Sequence, residues 1–453
     1  MSTFWYQDAI FYHIYPLGLC GAPNQNVGDS PPKHRLDRLL PWLEHAQSLG
    51  ANTLYLGPVF QSTSHGYDTV DYYHIDRRLG DNDSFKRFAD TVHQQGMKLV
   101  LDGVFNHVGR DFWAFKDVCE KGENSPYTDW FQKLRFGEES PMGDPFRYES
   151  WQGHFSLVEL NLSHPGVREH LFGAVEMWMT HFGIDGLRLD AADCLDFDFL
   201  RALRSFVKKR RADFWLMGEV VHGDYGDWVN PIMLDSVTNY ECYKGLYSSL
   251  NDANYHEISF SLNRQFGDEG IYKAFHLYNF VDNHDVNRVA SQLKKEEHLY
   301  PLYLLLFTMP GIPAVYYGSE WGIKGVKGDH SDESLRPMLE LSQMGRHVPH
   351  PDLVKLIRQL SQIRKESAAL RHGHFQTILK NHRQYAFSRQ AEGEALVVIL
   401  NSADQQVDLE LSLSCKAQRF TDVLNPGDDY QVKKGTIQVS VPPTWGRILR
   451  KMV

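Results

Sequence analysis

The stretch GIDGLRLDAADCL, residues 183–195, decides the fold. It opens with a Gly-Ile-Asp-Gly turn signal, after which leucine and alanine alternate with Arg188 and Asp190, the pattern of a strand with two opposite charges on one face. A helical segment at 168–181 precedes it, so the two form one unit of a parallel sheet. Parallel strands are usually buried on both faces, and a charged pair at the carboxyl end is unusual there. It is either a buried ion pair that fixes register or an ionised carboxylate held by an arginine at the mouth of a barrel.

The same alternation of strands and helices extends through most of the chain. Apolar and β-branched runs predict eight strands, at 11–19, 53–60, 98–105, 187–192, 214–220, 236–243, 274–281 and 312–317. Helices are predicted between strands, as at 36–49, 84–95 and 198–211. Eight strands with helices between them predict an α/β fold, a (β/α)8 TIM barrel, in preference to an open sheet.

Two parts of the sequence depart from this alternation. The segment 107–164 follows the third strand, is rich in Trp, Phe, Gly, Pro and Asp, and is far too long for an ordinary barrel connection. It is predicted to be an insertion, a small lobe or a substrate lid, between barrel parts at 1–106 and 165–370. From 371 to 453, short alternating runs separated by turn signals predict a C-terminal antiparallel β domain.

Acids, amides and histidines stand at the carboxyl ends of four predicted strands. They are Asp102, Asn106 and His107 after the third, Arg188 and Asp190 in the fourth, Glu219 after the fifth, and Asp282, Asn283, His284 and Asp285 after the seventh. A single residue of this kind often only caps the following helix or satisfies a neighbour. Four strands with the same feature are harder to explain that way, because the carboxyl ends of barrel strands meet on one face. The sequence therefore predicts a carboxylate-rich cleft.

Two chemistries use a cleft of this composition. Hydrolysis by a divalent metal needs Asp, Glu and His as ligands, whereas glycoside hydrolysis needs one carboxylate as nucleophile and one protonated carboxyl as acid. The strand ends offer only His107 and His284 as imidazole ligands, and Arg188 beside Asp190 would repel a cation. An arginine favours the ionised form of Asp190, which suits a nucleophile. The residues therefore favour glycoside hydrolysis.

Six motifs resemble those of the α-amylase family, glycoside hydrolase family 13. Four are similar to its catalytic-strand motifs, in order: DGVFNH (102–107), GLRLD (186–190), GEV (218–220) and FVDNHD (280–285). Two more resemble its second- and eighth-strand motifs: HGYDT (65–69) and GIPAVYYGSE (311–320). The resemblance is to maltodextrin-acting members of the cyclomaltodextrinase and neopullulanase type. Those members usually add an N-terminal β domain, whereas here the predicted barrel begins almost at once.

The resemblance implies a retaining, double-displacement hydrolysis of α-glucosidic bonds. It implies Asp190 as nucleophile, Glu219 as general acid and base, and Asp285 as the acid that stabilises the charged transition state. The ring to be cleaved would be bound by four further residues, with the first as a stacking platform: Tyr67, His107, Arg188 and His284. A transglycosylase would use the same acids. A barrel that only binds sugar or partners would usually have lost one of the acids, and all three are present.

Asp68 and Arg336 are further candidates for substrate binding. Asp68 follows Tyr67 on the second loop, and Arg336 lies just beyond the eighth strand, which neighbours the first in a closed barrel. The two side chains are therefore expected to meet. Relatives with these residues often pair them, so the resemblance implies a bidentate pair that walls the donor side of the cleft. The alternative is two solvated charges on the rim.

Many family members bind calcium near the insertion and have a histidine four residues after the nucleophile. That position is Cys194 here, while Asn106 and Glu159 remain as candidate oxygen ligands. We therefore expect no metal ligand among the site residues and no required cofactor, with a structural Ca²⁺ as the alternative.

The composition sets limits on compartment and partners. The net charge of −10 argues against nucleic acid, and no apolar run approaches the ~20 residues of a membrane span. The first residues lack the basic segment and clean apolar run of a signal peptide. Five scattered cysteines without Cys-x-x-Cys spacing suit a reducing compartment. We expect a cytoplasmic enzyme whose partner is an α-glucan oligosaccharide.

Overall fold

The centre of the molecule is a closed barrel of parallel strands. The structure, a computed structural model, describes residues 4–26, 30–329, 331–344, 348–413 and 417–452. Strands β1–β8 are Phe11–Ile14, Thr53–Leu56, Lys98–Gly103, Gly186–Leu189, Trp215–Gly218, Ser236–Val237, Tyr278–Asn279 and Ile312–Tyr316. They pair in parallel in the spatial order β6-β5-β4-β3-β2-β1-β8-β7. A parallel bridge between Thr238 and Tyr278 joins the two ends, so the predicted (β/α)8 fold is confirmed.

The barrel strands are short and apolar because both of their faces are buried. One face fills the barrel interior with a compact cluster that includes Phe11, Tyr55, Val100, Trp215, Met217 and Ile312. The other face packs against the surrounding helices within the main hydrophobic core. Side chains from alternate strands fill such a barrel in layers, which leaves its mouth as the place for polar groups.

Helices α1–α12 surround the barrel and connect its strands. In chain order they are Pro16–Leu19, Leu40–Ser48, Asn82–Gln94, Trp113–Lys121, Pro165–Met177, Phe197–Arg210, Tyr240–Asn251, His256–Phe266, Val289–Gln292, Leu299–Thr308, Pro351–Glu366 and Ala368–His372. A short π-helical turn, Trp178–Phe182, extends α5. None of the helices within the described ranges is long and apolar enough to cross a lipid bilayer.

All eight barrel strands are shorter than the sequence indicated, and in two of them a helix takes up the remaining residues. The strand predicted at 11–19 ends at Ile14, because Pro16 begins helix α1. The strand predicted at 236–243 ends at Val237, because Tyr240 already belongs to helix α7. The side chain of Asn239 accepts a hydrogen bond from the Cys242 amide and so caps α7. The aromatic and apolar residues of this run belong to a buried helix face and not to a strand.

The segment after β3 forms a small lobe over the mouth of the barrel. Its backbone contains two antiparallel pairs, His107–Gly109 with Leu157–Glu159 and Arg135–Phe136 with Phe146–Arg147. Helix α4 lies between them in sequence, and Phe115 of α4 packs edge-on against Phe131, Phe146 and Tyr148. The lobe therefore has its own aromatic core, and His107 begins its first strand, four residues after β3 ends at Gly103.

The C-terminal part forms antiparallel sheets. Its strands, β9–β16, are His374–Lys380, Gln384–Ala391, Glu394–Asn401, Val407–Ser412, Arg419–Asp422, Asp429–Gln431, Thr436–Val441 and Trp445–Lys451. Six pair in the order β9-β10-β11-β16-β13-β14, and β12 pairs with β15. The prediction of a C-terminal antiparallel β domain is confirmed.

Two buried arginines bind backbone carbonyls around the end of helix α10, and the second of them, Arg389, joins this domain to the barrel. Arg364 in α11 donates to the carbonyl oxygens of Phe307 (2.9 Å) and Gly311, and Arg389 in β10 donates to those of Thr308 (2.8 Å) and Gly373 (3.0 Å). Both side chains are about 1% exposed. The carbonyl groups of Phe307 and Thr308 end helix α10 and have no partner within it. The guanidinium charges therefore lie at the negative end of a helix dipole.

Replacing Arg364 by Met should destabilise the fold without changing the active site. The change leaves two buried carbonyl groups without donors, which costs about 3 kcal/mol in total and should lower the melting temperature by roughly 3 °C. Arg358→Met is the matched control, because Arg358 lies on the same helix and donates to the Ser48 carbonyl from an exposed position. Thermal unfolding followed by circular dichroism measures both variants, and equal melting temperatures would contradict the interpretation.

Candidate active site

The polar residues predicted to meet at the barrel mouth do so. Asp102 and Arg188 lie within β3 and β4, and Asp190 and Glu219 each follow a strand end by one residue, after β4 and β5. Asp285 lies on the loop after β7. Parallel strands of a closed barrel have their carboxyl ends on one face, so side chains that are distant in sequence share a cleft.

Arg188 is the centre of this cleft. Its Nη1 lies 2.8 Å from Asp102 Oδ1 and 2.8 Å from Asp190 Oδ1, and its Nη2 lies 2.7 Å from Glu219 Oε2. The side chain is 3% exposed. Burial disfavours its charged form, but Asp102 and Glu219 outweigh burial and raise its pKa well above the ordinary value. One permanently charged guanidinium therefore binds three carboxylates.

Asp190 is a buried carboxyl group on which burial and Arg188 act in opposite directions. Burial raises its pKa well above the ordinary value; Arg188 opposes this effect, and the nearby Glu219 adds to it. The next residue, Ala191, has a left-handed backbone (φ 44°, ψ 46°), which is costly for a residue with a Cβ. The Ala191 amide donates to Glu219 Oε2 at 3.2 Å.

Glu219 receives two further hydrogen bonds besides its ion pair with Arg188. One is from the Ala191 amide, and the other is from the Tyr240 hydroxyl to Oε1, at 3.2 Å. Burial, followed by the charge of Glu219, raises the pKa of Tyr240 well above the ordinary value, so Tyr240 stays protonated and donates. Sequence reasoning missed Tyr240, because its run was interpreted as a strand and not as the first turn of α7.

Asp285 is held by three neighbouring groups. Its Oδ2 lies 2.8 Å from Nε2 of His284, and its Oδ1 accepts from Arg336 Nη2 at 2.9 Å. The side chain of Asn283 accepts from the Asp285 amide at 2.8 Å and fixes the loop. Burial alone would raise the pKa of Asp285, but His284 and then Arg336 outweigh it and keep the pKa well below the ordinary value. Asp285 is therefore ionised at neutral pH.

Tyr67 connects Asp102 to His284. Its hydroxyl donates to Asp102 Oδ2 at 3.1 Å and also contacts His284 Nε2, and the two rings stack with centroids 5.4 Å apart. Burial and then Asp102 raise the pKa of Tyr67 well above the ordinary value. The Tyr67 hydroxyl has one proton and directs it to Asp102 Oδ2. The proton between Tyr67 and His284 therefore belongs to Nε2 of His284, which also faces Asp285.

The predicted pair between Asp68 and Arg336 is wrong. Asp68 is buried and accepts from Ser64 Oγ (2.6 Å) and from the Gly66 amide (3.2 Å), so it stabilises its own loop. Arg336 binds Asp285 and also Asp332, at 2.9 Å from Oδ2. Asp332 lies four residues before Arg336 on the same loop, so Arg336 pairs with one acid of its own loop and with one acid of the loop after β7. Sequence reasoning missed Asp332, although its spacing from Arg336 was a usable signal.

Cys194 stands at the position for which the family resemblance raised a histidine near a calcium site. Cys194 is exposed as a residue, but its sulfur is partly buried. This burial, followed by the charge of Asp193, raises the pKa of the thiol to about 11. A protonated thiol is a poor ligand for calcium, which prefers oxygen. Among the residues that the structure describes, no group of three or more His, Cys, Asp or Glu side chains is arranged to hold a metal ion.

His107 is buried beside this cleft and predicts a pH dependence of stability. It is 1% exposed, and burial, followed by the charge of His65, lowers its pKa to about 4. An unfolded chain binds the same proton near pH 6.5, so the unfolded state gains protons first and stability falls as the pH drops from about 6.5 to 4. The loss for this residue is about 3 kcal/mol. The His107→Gln variant lacks this titrating imidazole. The difference in free energy of unfolding between the wild type and the variant should therefore shrink by about 3 kcal/mol between pH 7 and 4, as measured by urea titration. A constant margin would contradict a neutral, buried His107.

The chain matches two family models in sequence. The first, described as alpha amylase, catalytic domain, matches residues 36–350, and the second, maltogenic amylase, C-terminal domain, matches residues 375–447. The chain is 33% identical to a cyclomaltodextrinase of a Bacillus species, with 88% of this chain and 73% of that protein covered. It is 31% identical to neopullulanase 2 of Thermoactinomyces vulgaris, with 98% and 78% covered.

Two further comparisons extend this result. The chain is 27% identical to an intracellular maltogenic amylase of Bacillus subtilis (strain 168), with 88% of this chain and 69% of that protein covered. It superposes on the cyclic alpha-maltosyl-(1→6)-maltose hydrolase from Arthrobacter globiformis with a TM-score of 0.82, 27% identity, and 99% and 100% of the two chains covered. The matched catalytic region contains β2–β8 and every acid of the cleft. This chain therefore belongs to the α-amylase family, glycoside hydrolase family 13, as a glycoside hydrolase of α-glucans.

Proposed function

We propose that the enzyme hydrolyses α-glucosidic bonds of short linear or cyclic maltodextrins with retention of configuration. The observation that supports it most directly is the contact of one guanidinium, Arg188, with both Asp190 and Glu219. Retaining glycosidases need two carboxyl groups only about 5 Å apart, and inverting ones need a wider gap for water. Two carboxylates on adjacent nitrogens of one guanidinium suit the closer spacing. The names of the similar proteins, among them cyclomaltodextrinase, support the substrate class.

In the first step, Asp190 attacks the anomeric carbon while Glu219 gives a proton to the leaving oxygen. Glu219 must take up that proton and release Arg188, since its Oε2 is ion-paired in the free enzyme. Arg188 then remains on Asp190 and Asp102. In the second step, Glu219 removes a proton from water, which attacks the glycosyl–Asp190 ester and restores the original configuration.

Asp285 and its neighbours act on the sugar ring and on its charge. The transition state resembles an oxocarbenium ion, and an ionised Asp285 stabilises positive charge that develops near it. His284 and Tyr67 form one stacked surface beside it, held through Asp102. This surface offers an aromatic face to a bound glucose unit. His107 and Arg188 complete the polar wall of the same subsite.

The two main acids should respond differently to isosteric amides. Asp190→Asn should lose nearly all activity on every substrate, because the glycosyl–enzyme ester needs a carboxylate. Glu219→Gln should lose about 10²–10⁴-fold on maltotriose but much less on an aryl α-glucoside whose leaving group needs no proton. Initial rates on the two substrates measure this, and equal losses for Glu219→Gln would remove it from the acid role.

A nearby exposed carboxylate provides the control for these variants. Asp193 lies three residues after Asp190 and is exposed, so Asp193→Asn should change rates by no more than about twofold. Proton NMR of the first turnovers should show the α-anomer of the product. If the β-anomer came first, the retaining mechanism would be wrong. Maltose or glucose as added acceptor also measures transglycosylation, which uses the same acids.

We also propose that catalysis and stability need no calcium. EDTA should leave both the rate and the melting temperature nearly unchanged, because Cys194 stands where calcium-binding relatives have a histidine. A bound ion at a hundred times its Kd would add about 2.7 kcal/mol to stability. A melting temperature that fell by several degrees in EDTA and recovered with CaCl₂ would therefore show a calcium site.

We propose, finally, that the enzyme acts inside the cell. The similarity to an intracellular maltogenic amylase supports this, and Cys20, Cys119, Cys194 and Cys242 are all free thiols. Fractionation of cells that express the tagged chain tests the proposal. Recovery of the protein mainly from the medium or an extracytoplasmic fraction would overturn it.

A further inference from the structure

Arg288 is a completely buried charge that the reaction described above does not use. It lies three residues after Asp285, at the N-terminal boundary of helix α9, and its side chain is 0% exposed. An unpaired guanidinium in such a place is costly. Arg288 lies between the loop after β7 and the loop after β8, and its hydrogen bonds to the second of these loops offset the cost of burying the charge.

The side chain of Arg288 donates mainly to backbone carbonyls of the β8 loop. Nη1 donates to the Tyr317 carbonyl at 2.6 Å and to Ser319 Oγ at 3.1 Å, and Nη2 donates to the Leu335 carbonyl at 2.9 Å. Its own amide donates to the Gly325 carbonyl. Partner groups of this kind specify the position of a backbone more than they neutralise a charge.

The residues held in this way are those on either side of Arg336. The Leu335 carbonyl accepts from both Arg288 and the Tyr316 hydroxyl (3.0 Å), and the Pro337 carbonyl accepts from the Tyr317 hydroxyl (2.9 Å). Gly18 approaches from the third side, where a Cβ would lie 2.1 Å from the Arg336 carbonyl oxygen. The backbone of Arg336 is therefore fixed on three sides.

From this backbone the side chain of Arg336 reaches back to the loop of Asp285. Its Nε donates to the His284 carbonyl at 3.0 Å and its Nη2 to Asp285 Oδ1 at 2.9 Å. The contacts form a closed circuit from Asp285 along the chain to Arg288, across to Leu335, and back through Arg336. A shift at Arg288 would move both the carboxylate and the guanidinium that binds it.

We propose that Arg288 is a positioning residue that places Arg336 against Asp285 and so sets the geometry of the third acid. The proposal rests on the proposed role of Asp285 in the transition state. Lysine cannot replace Arg288, because one ammonium group cannot match a planar fork that donates to Tyr317 and Leu335 together. The effect on the reaction is indirect, since Arg288 is 0% exposed and its Cζ lies 4.2 and 5.1 Å from the ring centroids of Tyr316 and Tyr317.

The test compares Arg288→Lys with Arg364→Lys on maltotriose. Arg364 is equally buried and also donates to two backbone carbonyls, but it lies at the junction with the C-terminal domain. Both variants should lose thermal stability. A misplacement near 1 Å costs about 100-fold in rate, so Arg288→Lys should lower kcat by about 10–100-fold with KM within about threefold. Arg364→Lys should keep kcat within about twofold, as expected for a distant site.

A double variant shows whether the effect passes through Arg336. Arg336→Ala alone should lower kcat, and adding Arg288→Lys to it should lower kcat by no more than about threefold further, because the partner has gone. Independent, multiplying losses would overturn the proposal. So would an unchanged kcat in folded Arg288→Lys.

If Arg288→Lys does not fold, the Tyr316→Phe variant tests the same proposal. It removes the second donor to the Leu335 carbonyl and leaves Arg288 in place, so kcat should fall several-fold and the loss should again be masked by Arg336→Ala. An unchanged kcat would count against positioning through Leu335. Failure of the proposed function looks different, because the wild-type enzyme would then release no product from maltotriose and Asp190→Asn would change nothing.

Discussion

The ion pairs of Arg188 are the constraint on which the cleft depends. Its guanidinium is held by strand register, with Arg188 directly opposite Asp102 of β3, and it reaches acids on both neighbouring strands. Five carboxyl groups, those of Asp102, Asp190, Glu219, Asp285 and Asp332, contact two guanidinium groups, Arg188 and Arg336. The named groups therefore leave an excess of negative charge. In a site that excludes water, such an excess favours a transition state that becomes positive.

The same charges would be expensive if the backbone did not hold them. Most of the donors that fix the loops are themselves buried and directed at carbonyl groups, as with Arg288, Tyr316 and Tyr317 around Arg336. Buried polar networks of this kind are stable only when their members are satisfied. The precision of the site is thus a property of two adjacent loops, after β7 and β8, and less of the individual acids.

Much of this arrangement follows from the sequence. The strand pattern around Arg188 and Asp190 predicts a buried parallel strand, and the repetition of strand-end acids predicts their convergence, because the barrel geometry leaves one place for them. Pattern alone could not assign partners within the cleft. Asp68, Asp285 and Asp332 are all acids on loops that reach the mouth, and the choice of Arg336 among them depends on loop paths. Tyr240 was missed for a related reason. It begins helix α7, which is capped by the side chain of Asn239, and that side chain is oriented by Gln265 and Asn279, which are remote in sequence.

The amide of Ala191 couples the carboxyl groups of Asp190 and Glu219. The two residues follow different strands, and Arg188 contacts both, but attraction by one cation does not fix an orientation. The Ala191 amide does, because it is covalently attached to Asp190 and donates to Glu219 Oε2. The direction of this amide follows the backbone of Asp190, and the left-handed conformation of Ala191 sets the path of the chain after it. The chain at Asp190 is therefore tied to the side chain of Glu219 by a bond that does not pass through Arg188.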